Sequence, residues 1–266
     1  MKIILGLYFD YVTNYHPKAS KVVVFDYYSL STTKSSEQKR RKTSTTPCAD
    51  IAVSAKIPIP GDKKSFLSNQ NNKQSFIDLL GSYMEEKGVT VIHAKEDGDA
   101  DVRIVRKALI LARSLGNVLI IADDTDVFAL LVYHSLSEMN LSMKTKSQTI
   151  DIRRAQNALG QQMCQCILFA HAMSGCDTTS AFFGIGITKA MKIIQKSEDL
   201  QKMVQVFGDD HLSVDDISKI GESFILHLYG GKSLTLDSLR ESYFKSSKYT
   251  SPREFHRHLE PVISIH

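Results

Sequence analysis

The chain has 266 residues, of which 42% are hydrophobic and 23% are charged, and its formal net charge is +4. These values are ordinary for a soluble globular fold and exclude a disordered or collagen-like chain. The mild basicity permits a polyanionic partner without requiring one. No apolar run reaches the ~20 residues that span a bilayer, so we expect no membrane partner. The four cysteines lack metal-ligand spacing, which indicates reduced thiols and a nuclear or cytoplasmic location.

The first half of the chain alternates between helical and strand patterns. Residues 1–15 follow the helical period, and "KVVVFDYY" (residues 21–28) is a β-branched run typical of a buried strand. Residues 43–64 are rich in Ser, Thr and Pro and predict a mobile loop. Further helices are predicted at 73–88, 99–116 and 125–135, and further strands at 89–94 and 117–122. This alternation favours an α/β fold with one parallel sheet covered on both faces by helices.

From about residue 153 the strand patterns give way to helical ones, at 154–175, 213–230, 235–247 and 251–259. We therefore expect an α/β region over residues 1–152 and a helical region over residues 153–266.

Within the helical region, "SGCDTTSAFFGIGITKAMKII" (residues 174–194) predicts a short helix, a turn and a longer helix. Gly184 and Gly186 can both take positive φ, and backbone amides at a helix N-terminus bind phosphate. Lys189 would add a positive charge. As an isolated pattern, these residues favour a plain interhelical turn.

Acidic residues follow three of the predicted strands. Asp26 ends the first, Asp99 and Asp101 follow the second, and Asp124 and Asp126 follow the third. Ligand sites in parallel α/β sheets lie beyond the carboxyl ends of the strands, so we expect these side chains to converge. Two carboxylates ~4 Å apart repel by roughly 4 kcal/mol at an effective dielectric constant near 20, and Mg²⁺ or Mn²⁺ would neutralise them. The alternative for each aspartate is a helix N-cap.

Two other groups have simpler interpretations. His93, His134 and His171 lack ligand spacing, and we interpret them as core or surface histidines. The basic run "KRRK" at residues 39–42 favours a solvated helix face, with a nuclear address as the alternative.

The order of these blocks resembles that of the flap endonuclease family, structure-specific nucleases with a PIN-like fold. The blocks are "VFDYYSLSTTKSSEQKRRK", "GDADVRIV", "ADDTDVF" and "SGCDTTSAFFGIGITKA", and together they span roughly residues 20–195. The last two blocks also look like those of divergent, PIN-like nuclease-related proteins of animals. The resemblance implies a PIN-like parallel sheet flanked by helices, followed by a helix-hairpin-helix over residues 177–195.

The resemblance also implies a set of site residues. Two Mg²⁺ or Mn²⁺ ions would be held by Asp26, Asp99, Asp101, Asp124, Asp126 and Asp177. Lys34 and Arg41 would contact the scissile phosphate, while Gly184, Gly186 and Lys189 would hold the nucleic-acid backbone. Residues 43–64 fall where the family carries an arch over the single strand. The implied activity is two-metal phosphodiester hydrolysis of flap, branched or single-stranded nucleic acid, DNA rather than RNA, by a monomer.

The chain departs from the family pattern at several positions. The family's first strand and its aspartate have no counterpart here, since a predicted helix precedes the "VFD" strand, as if the chain were truncated at its start. Tyr27 and Ile187 stand where the family has a glycine and a proline, and Asp99 and Asp101 stand where it has glutamates. These departures support an alternative, a catalytically inactive nucleic-acid-binding or interaction module with the same fold.

Overall fold

The computed structural model describes residues 1–27, 48–58, 61–94, 99–176, 179, 182, 184–207, 211–230 and 235–246. Within these residues the protein is a mixed α/β structure with short parallel sheets flanked by helices, which confirms the predicted class. It divides into two compact units, Met1–Lys107 and Ala108–His266.

The first unit contains a two-stranded parallel sheet. Its elements are α1 (Lys2–Asn14), β1 (Val22–Phe25), α2 (Lys63–Ser68), α3 (Gln70–Glu86), β2 (Thr90–His93) and the start of α4 (Ala100–Leu115). Val22 lies opposite Thr90 and Phe25 opposite His93, so both strands run in the same direction. Parallel pairing requires a crossover connection, and α2 and α3 lie within it. The predicted helix at 1–15 and the predicted strand at 89–94 are confirmed.

The core of the first unit forms where α1 and α3 meet the sheet. Leu5 of α1 packs with Leu80 and Met84 of α3 and with Val89, which precedes β2. Leu80 and Met84 are one helical turn apart, and both are buried, as the helical period of this segment predicts. Side chains of β1 and β2 cover the same cluster, so the hydrophobic core fixes the position of both strand ends.

The second unit contains a mixed three-stranded sheet. β3 (Asn117–Ile121) pairs in parallel with β4 (Asn140–Lys144), and β4 pairs antiparallel with β5 (Thr149–Asp151). The prediction of one parallel sheet is therefore wrong for the described part of the chain, where the strands form two separate sheets. β4 and β5 were not predicted, because only Leu141 and Met143 alternate as buried apolar residues in an otherwise polar segment.

Helices form the rest of the second unit. They are α5 (Thr125–His134), α6 (Ile152–Leu159), α7 (Gln161–Ser174), α8 (Ile187–Gln195), α9 (Glu198–Val206), α10 (Val214–Leu228) and α11 (Leu236–Ser246). The single helix predicted at 154–175 is broken at Gly160, whose φ of +81° suits glycine and separates α6 from α7. The rings of Phe169 and Phe224 pack edge to face at 5.0 Å in the helical core. The predicted helix at 251–259 lies outside the described residues.

None of the helices in the described ranges combines the length and the apolar composition needed to cross a lipid bilayer.

Candidate metal centre

The first acidic cluster lies at the carboxyl end of the two-stranded sheet. Asp26 directly follows β1, and its Oδ1 accepts a hydrogen bond of 3.3 Å from the N–H of Ala100, the first residue of α4. Oδ1 of Asp99 accepts from the N–H of Asp101 at 3.0 Å. Two carboxylates therefore bind consecutive amides at one helix N-terminus, where the helix dipole favours negative charge. Asp26 and the Asp99–Asp101 segment therefore meet at the N-terminus of α4.

The second acidic cluster follows β3 and opens α5. Oδ1 of Asp124 accepts from the N–H of Asp126 at 3.0 Å, so Asp124 is the N-cap of α5. Its neighbour Asp123 contacts a different element, the β4–β5 hairpin. Lys146 binds it with both its ammonium group, 2.7 Å from Oδ2, and its backbone N–H, 3.1 Å from Oδ1. These hydrogen bonds from Lys146 lower the pKa of Asp123.

Asp126 contacts a histidine from another helix. Oδ1 of Asp126 lies 3.0 Å from Nε2 of His171, which belongs to the last turn of α7. Both side chains are largely buried, with 28% of Asp126 and 14% of His171 exposed. Although the two atoms are close, the contact lacks hydrogen-bond geometry, and Nε2 is a buried atom with no hydrogen-bond partner among the described residues. His171 is therefore a largely buried histidine whose Nε2 lies at ion-pair distance from a carboxylate without an aligned hydrogen bond.

The glycine turn differs in part from its prediction. Gly184 has a φ of +68°, as predicted, but Gly186 has φ −102° and ψ 172°, an extended conformation open to any residue. Gly186 is the N-cap of α8, where no side chain caps the helix, and Lys189 is exposed in its first turn. Ile185 between the glycines is buried in the helical core, so the turn is anchored. Most of residues 177–183 lie outside the described part, and the helix-hairpin-helix stays a prediction.

Several predicted site residues lie outside the described residues. They are Lys34, Arg41 and Asp177. The predicted arch at 43–64 is described only in part, and residues 48–58 contain no helix or strand. Where the family has its first strand, the described residues form α1, as the helical pattern predicted.

The donor atoms fit a hard or borderline divalent cation, because they are carboxylate oxygens and one imidazole nitrogen. The unsatisfied buried Nε2 of His171 beside Asp126 is the structural feature that calls for such a ligand. Within the described ranges, no group of three or more His, Cys, Asp or Glu side chains is arranged to hold a metal ion. Any ion would therefore be held by pairs of these side chains, completed by water or by residues beyond the described part.

Comparison with known proteins adds no assignment: no family model matches the chain, and no curated protein and no solved structure matches it either.

Two residues of the second cluster were not found from the sequence. His171 reaches Asp126 because α5 and α7 pack together, and no sequence spacing encodes that contact. Lys146 reaches Asp123 because β4 pairs with β3 and carries the hairpin to the end of that strand. Recognition of the short alternating pattern of β4 would have placed Lys146 at this edge.

Proposed function

We propose that the protein is a divalent-metal-dependent nuclease that hydrolyses phosphodiester bonds in flap, branched or single-stranded nucleic acid. The observation that supports this proposal most is the placement of carboxylates at strand-to-helix junctions in both units, at Asp26 and Asp99 in one and at Asp124 and Asp126 in the other. Aspartates at such junctions offer oxygen ligands of the type that Mg²⁺ and Mn²⁺ prefer.

Each acidic cluster would hold one ion. The candidate ligands, of which a pair completed by water would hold each ion, are Asp26, Asp99 and Asp101 for the first ion and Asp124, Asp126 and Asp177 for the second. Bound divalent ions supply an activated water and stabilise a leaving oxygen in phosphodiester hydrolysis. Asp123 has a different role, because Lys146 already neutralises it and anchors the β4–β5 hairpin.

The remaining candidate residues would bind the substrate. Lys34 and Arg41 would contact the scissile phosphate, as the resemblance implies. The uncapped N-terminus of α8 and the exposed ammonium of Lys189 offer donors to a phosphate of the nucleic-acid backbone. Contacts of this kind bind without reading sequence, so we expect recognition of nucleic-acid shape. DNA rather than RNA is the substrate that the resemblance implies.

The direct test is cleavage of a labelled 5′-flap DNA in Mg²⁺ or Mn²⁺, with a chelator as the blank. Asp124→Asn removes the charge but keeps the cap, because asparagine is as good an N-cap as aspartate. Loss of a residue that only hydrogen-bonds to a metal ligand lowers metal affinity or activity ~10–100-fold, so loss of a ligand charge in Asp124→Asn should slow cleavage by at least that factor. Asp151 caps α6 through the N–H of Arg154 at 2.7 Å, and Asp151→Asn is the matched control that should cleave normally.

A second candidate is a catalytically inactive nucleic-acid-binding module. It is favoured by the lack of a three-ligand group within the described ranges, and by the use of Asp99 and Asp124 as helix caps. This candidate requires binding of the same DNA with an affinity that falls as salt rises, and no metal-dependent cleavage. Cleavage by the wild type that is lost in Asp124→Asn would exclude it, whereas equal rates for the two would refute the nuclease site.

A further inference from the structure

The contact between His171 and Asp126 belongs entirely to the second unit. Asp126 lies in the first turn of α5 and His171 in the last turn of α7, and these two helices pack against each other. On the buried side of α5, Val127 and Leu131 are fully enclosed, so the backbone that carries Asp126 is held firmly. The pair is therefore a fixed feature of the packing between two helices.

A hydrogen bond does not account for this contact. Nε2 of His171 is buried and has no hydrogen-bond partner among the described residues, although a carboxylate oxygen lies 3.0 Å away. Buried polar atoms are satisfied in the great majority of cases, so an unsatisfied one calls for an ion or another group. An imidazole nitrogen and a carboxylate oxygen that approach each other without an aligned N–H are arranged like two ligands of one cation.

The distance supports the same conclusion. Metal–nitrogen bonds to histidine and metal–oxygen bonds to carboxylates are ~2.1 Å long for small divalent cations. Two such ligands at a right angle about one ion would lie ~3.0 Å apart. The observed separation of Nε2 and Oδ1 is 3.0 Å.

We propose that His171 Nε2 and Asp126 Oδ1 together bind one divalent transition-metal ion, with water completing its coordination. The inference rests on the proposed function only because Asp126 is also a metal ligand in that proposal. His171 is a new ligand, which the family resemblance does not include. Imidazole suits Fe, Ni, Cu and Zn ions, whereas Mg²⁺ prefers oxygen ligands. The nitrogen therefore shifts the preference of this ion site from Mg²⁺ toward transition-metal ions, and Mn²⁺, the weakest binder of that series, serves as the paramagnetic probe.

The test uses the full chain loaded with Mn²⁺ and no nucleic acid. Electron spin echo envelope modulation of the bound Mn²⁺ should show coupling to a directly coordinated ¹⁴N nucleus. His171→Gln should abolish that coupling and weaken Mn²⁺ binding by about 10-fold or more, with a smaller effect on Mg²⁺. His134→Gln is the matched control, because His134 is an exposed histidine at the opposite end of α5, and it should leave both measurements unchanged.

The outcomes separate this inference from the proposed nuclease. Absence of ¹⁴N coupling in the wild type, which needs no variant, would overturn the nitrogen ligand, as would coupling that persists in His171→Gln. Coupling that is lost only in His171→Gln supports the site even if no DNA is cleaved. Cleavage by a protein that shows no ¹⁴N coupling would leave the nuclease standing and remove this inference.

Discussion

Replacement of Asp26 separates the structural role of this residue from its proposed role as a metal ligand. Its Oδ1 accepts the N–H of Ala100, one of the otherwise unpaired amides of the first turn of α4. Asp26→Ala removes both the acceptor and the charge. Asp26→Asn keeps an acceptor oxygen at the same place and removes only the charge.

The magnitude is worked from the hydrogen bond to Ala100. Loss of a side-chain acceptor at a helix N-terminus costs ~0.5–2 kcal/mol, and the 3.3 Å length of this bond favours about 1 kcal/mol for Asp26→Ala. Asp26→Asn also loses the attraction between a carboxylate and the helix dipole, ~0.3–1 kcal/mol. We therefore expect the free energy of unfolding to fall measurably in Asp26→Ala and only slightly in Asp26→Asn.

The assay is urea denaturation followed by far-UV circular dichroism, since the chain contains no tryptophan to report by fluorescence. Because a chain with two units need not unfold in one step, amide hydrogen exchange at Ala100 gives the local measurement. Asp10→Ala is the control, because Asp10 is exposed on α1, and it should change stability by less than ~0.5 kcal/mol. Equal destabilisation in Asp26→Asn and Asp26→Ala would refute the reasoning, because charge and not the acceptor would then stabilise the junction.

Asn72, which is 1% exposed, accepts the N–H of Ile51 and donates to the carbonyl of Ala49. Asn72→Leu leaves both groups without this partner and should lower the free energy of unfolding by ~2–4 kcal/mol in urea titration. Lys146→Ala should raise the pKa of Asp123, which carboxyl ¹³C shifts in an NMR titration measure. Because the pKa is lowered in the fold, the ion pair stabilises the fold above the unfolded pKa, ~3.9, and this contribution is lost as pH falls through the folded pKa. An unchanged titration in the variant would contradict the ion pair. Burial raises the pKa of Cys166 to about 11, so iodoacetamide at pH 8 should alkylate Cys48 well before Cys166, as mass spectrometry can show.

Local patterns predicted most of the individual elements. The β-branched run before Asp26 forms β1, and the helical period of the segment with Leu80 and Met84 forms α3. The two strands that a crossover connects also pair in parallel, as the alternation of elements predicts. These features depend on neighbouring residues and on chirality, which the sequence shows directly.

The arrangement of strands into sheets was not predictable in the same way. β3 pairs with β4, a short strand whose polar composition hides its alternation, and the antiparallel β5 follows it. The division of a long helical pattern at Gly160 depends on one residue whose φ is positive in the fold. Gly186 carries the same sequence signal as Gly184, yet its φ is negative, because the N-cap of α8 needs only an extended conformation.

For the candidate site, the ends of the predicted strands located the aspartates, but the sequence did not show which side chains those aspartates contact. Strand ends placed Asp26 beside the start of α4 and Asp124 at the start of α5. The contacts of Asp123 with Lys146 and of Asp126 with His171 depend on packing between elements that are distant in the chain. These contacts give different roles to Asp123, Asp124 and Asp126, which look equivalent in the sequence.

The central claim is that carboxylates at the strand ends hold divalent cations, and counting the bound Mn²⁺ by electron paramagnetic resonance tests it most directly. The account predicts two ions per chain for the wild type, one for Asp26→Asn, one for Asp126→Asn, and none for the double variant. A wild-type chain that binds no Mn²⁺ at millimolar concentration, or a double variant that binds as many ions as the wild type, would contradict it.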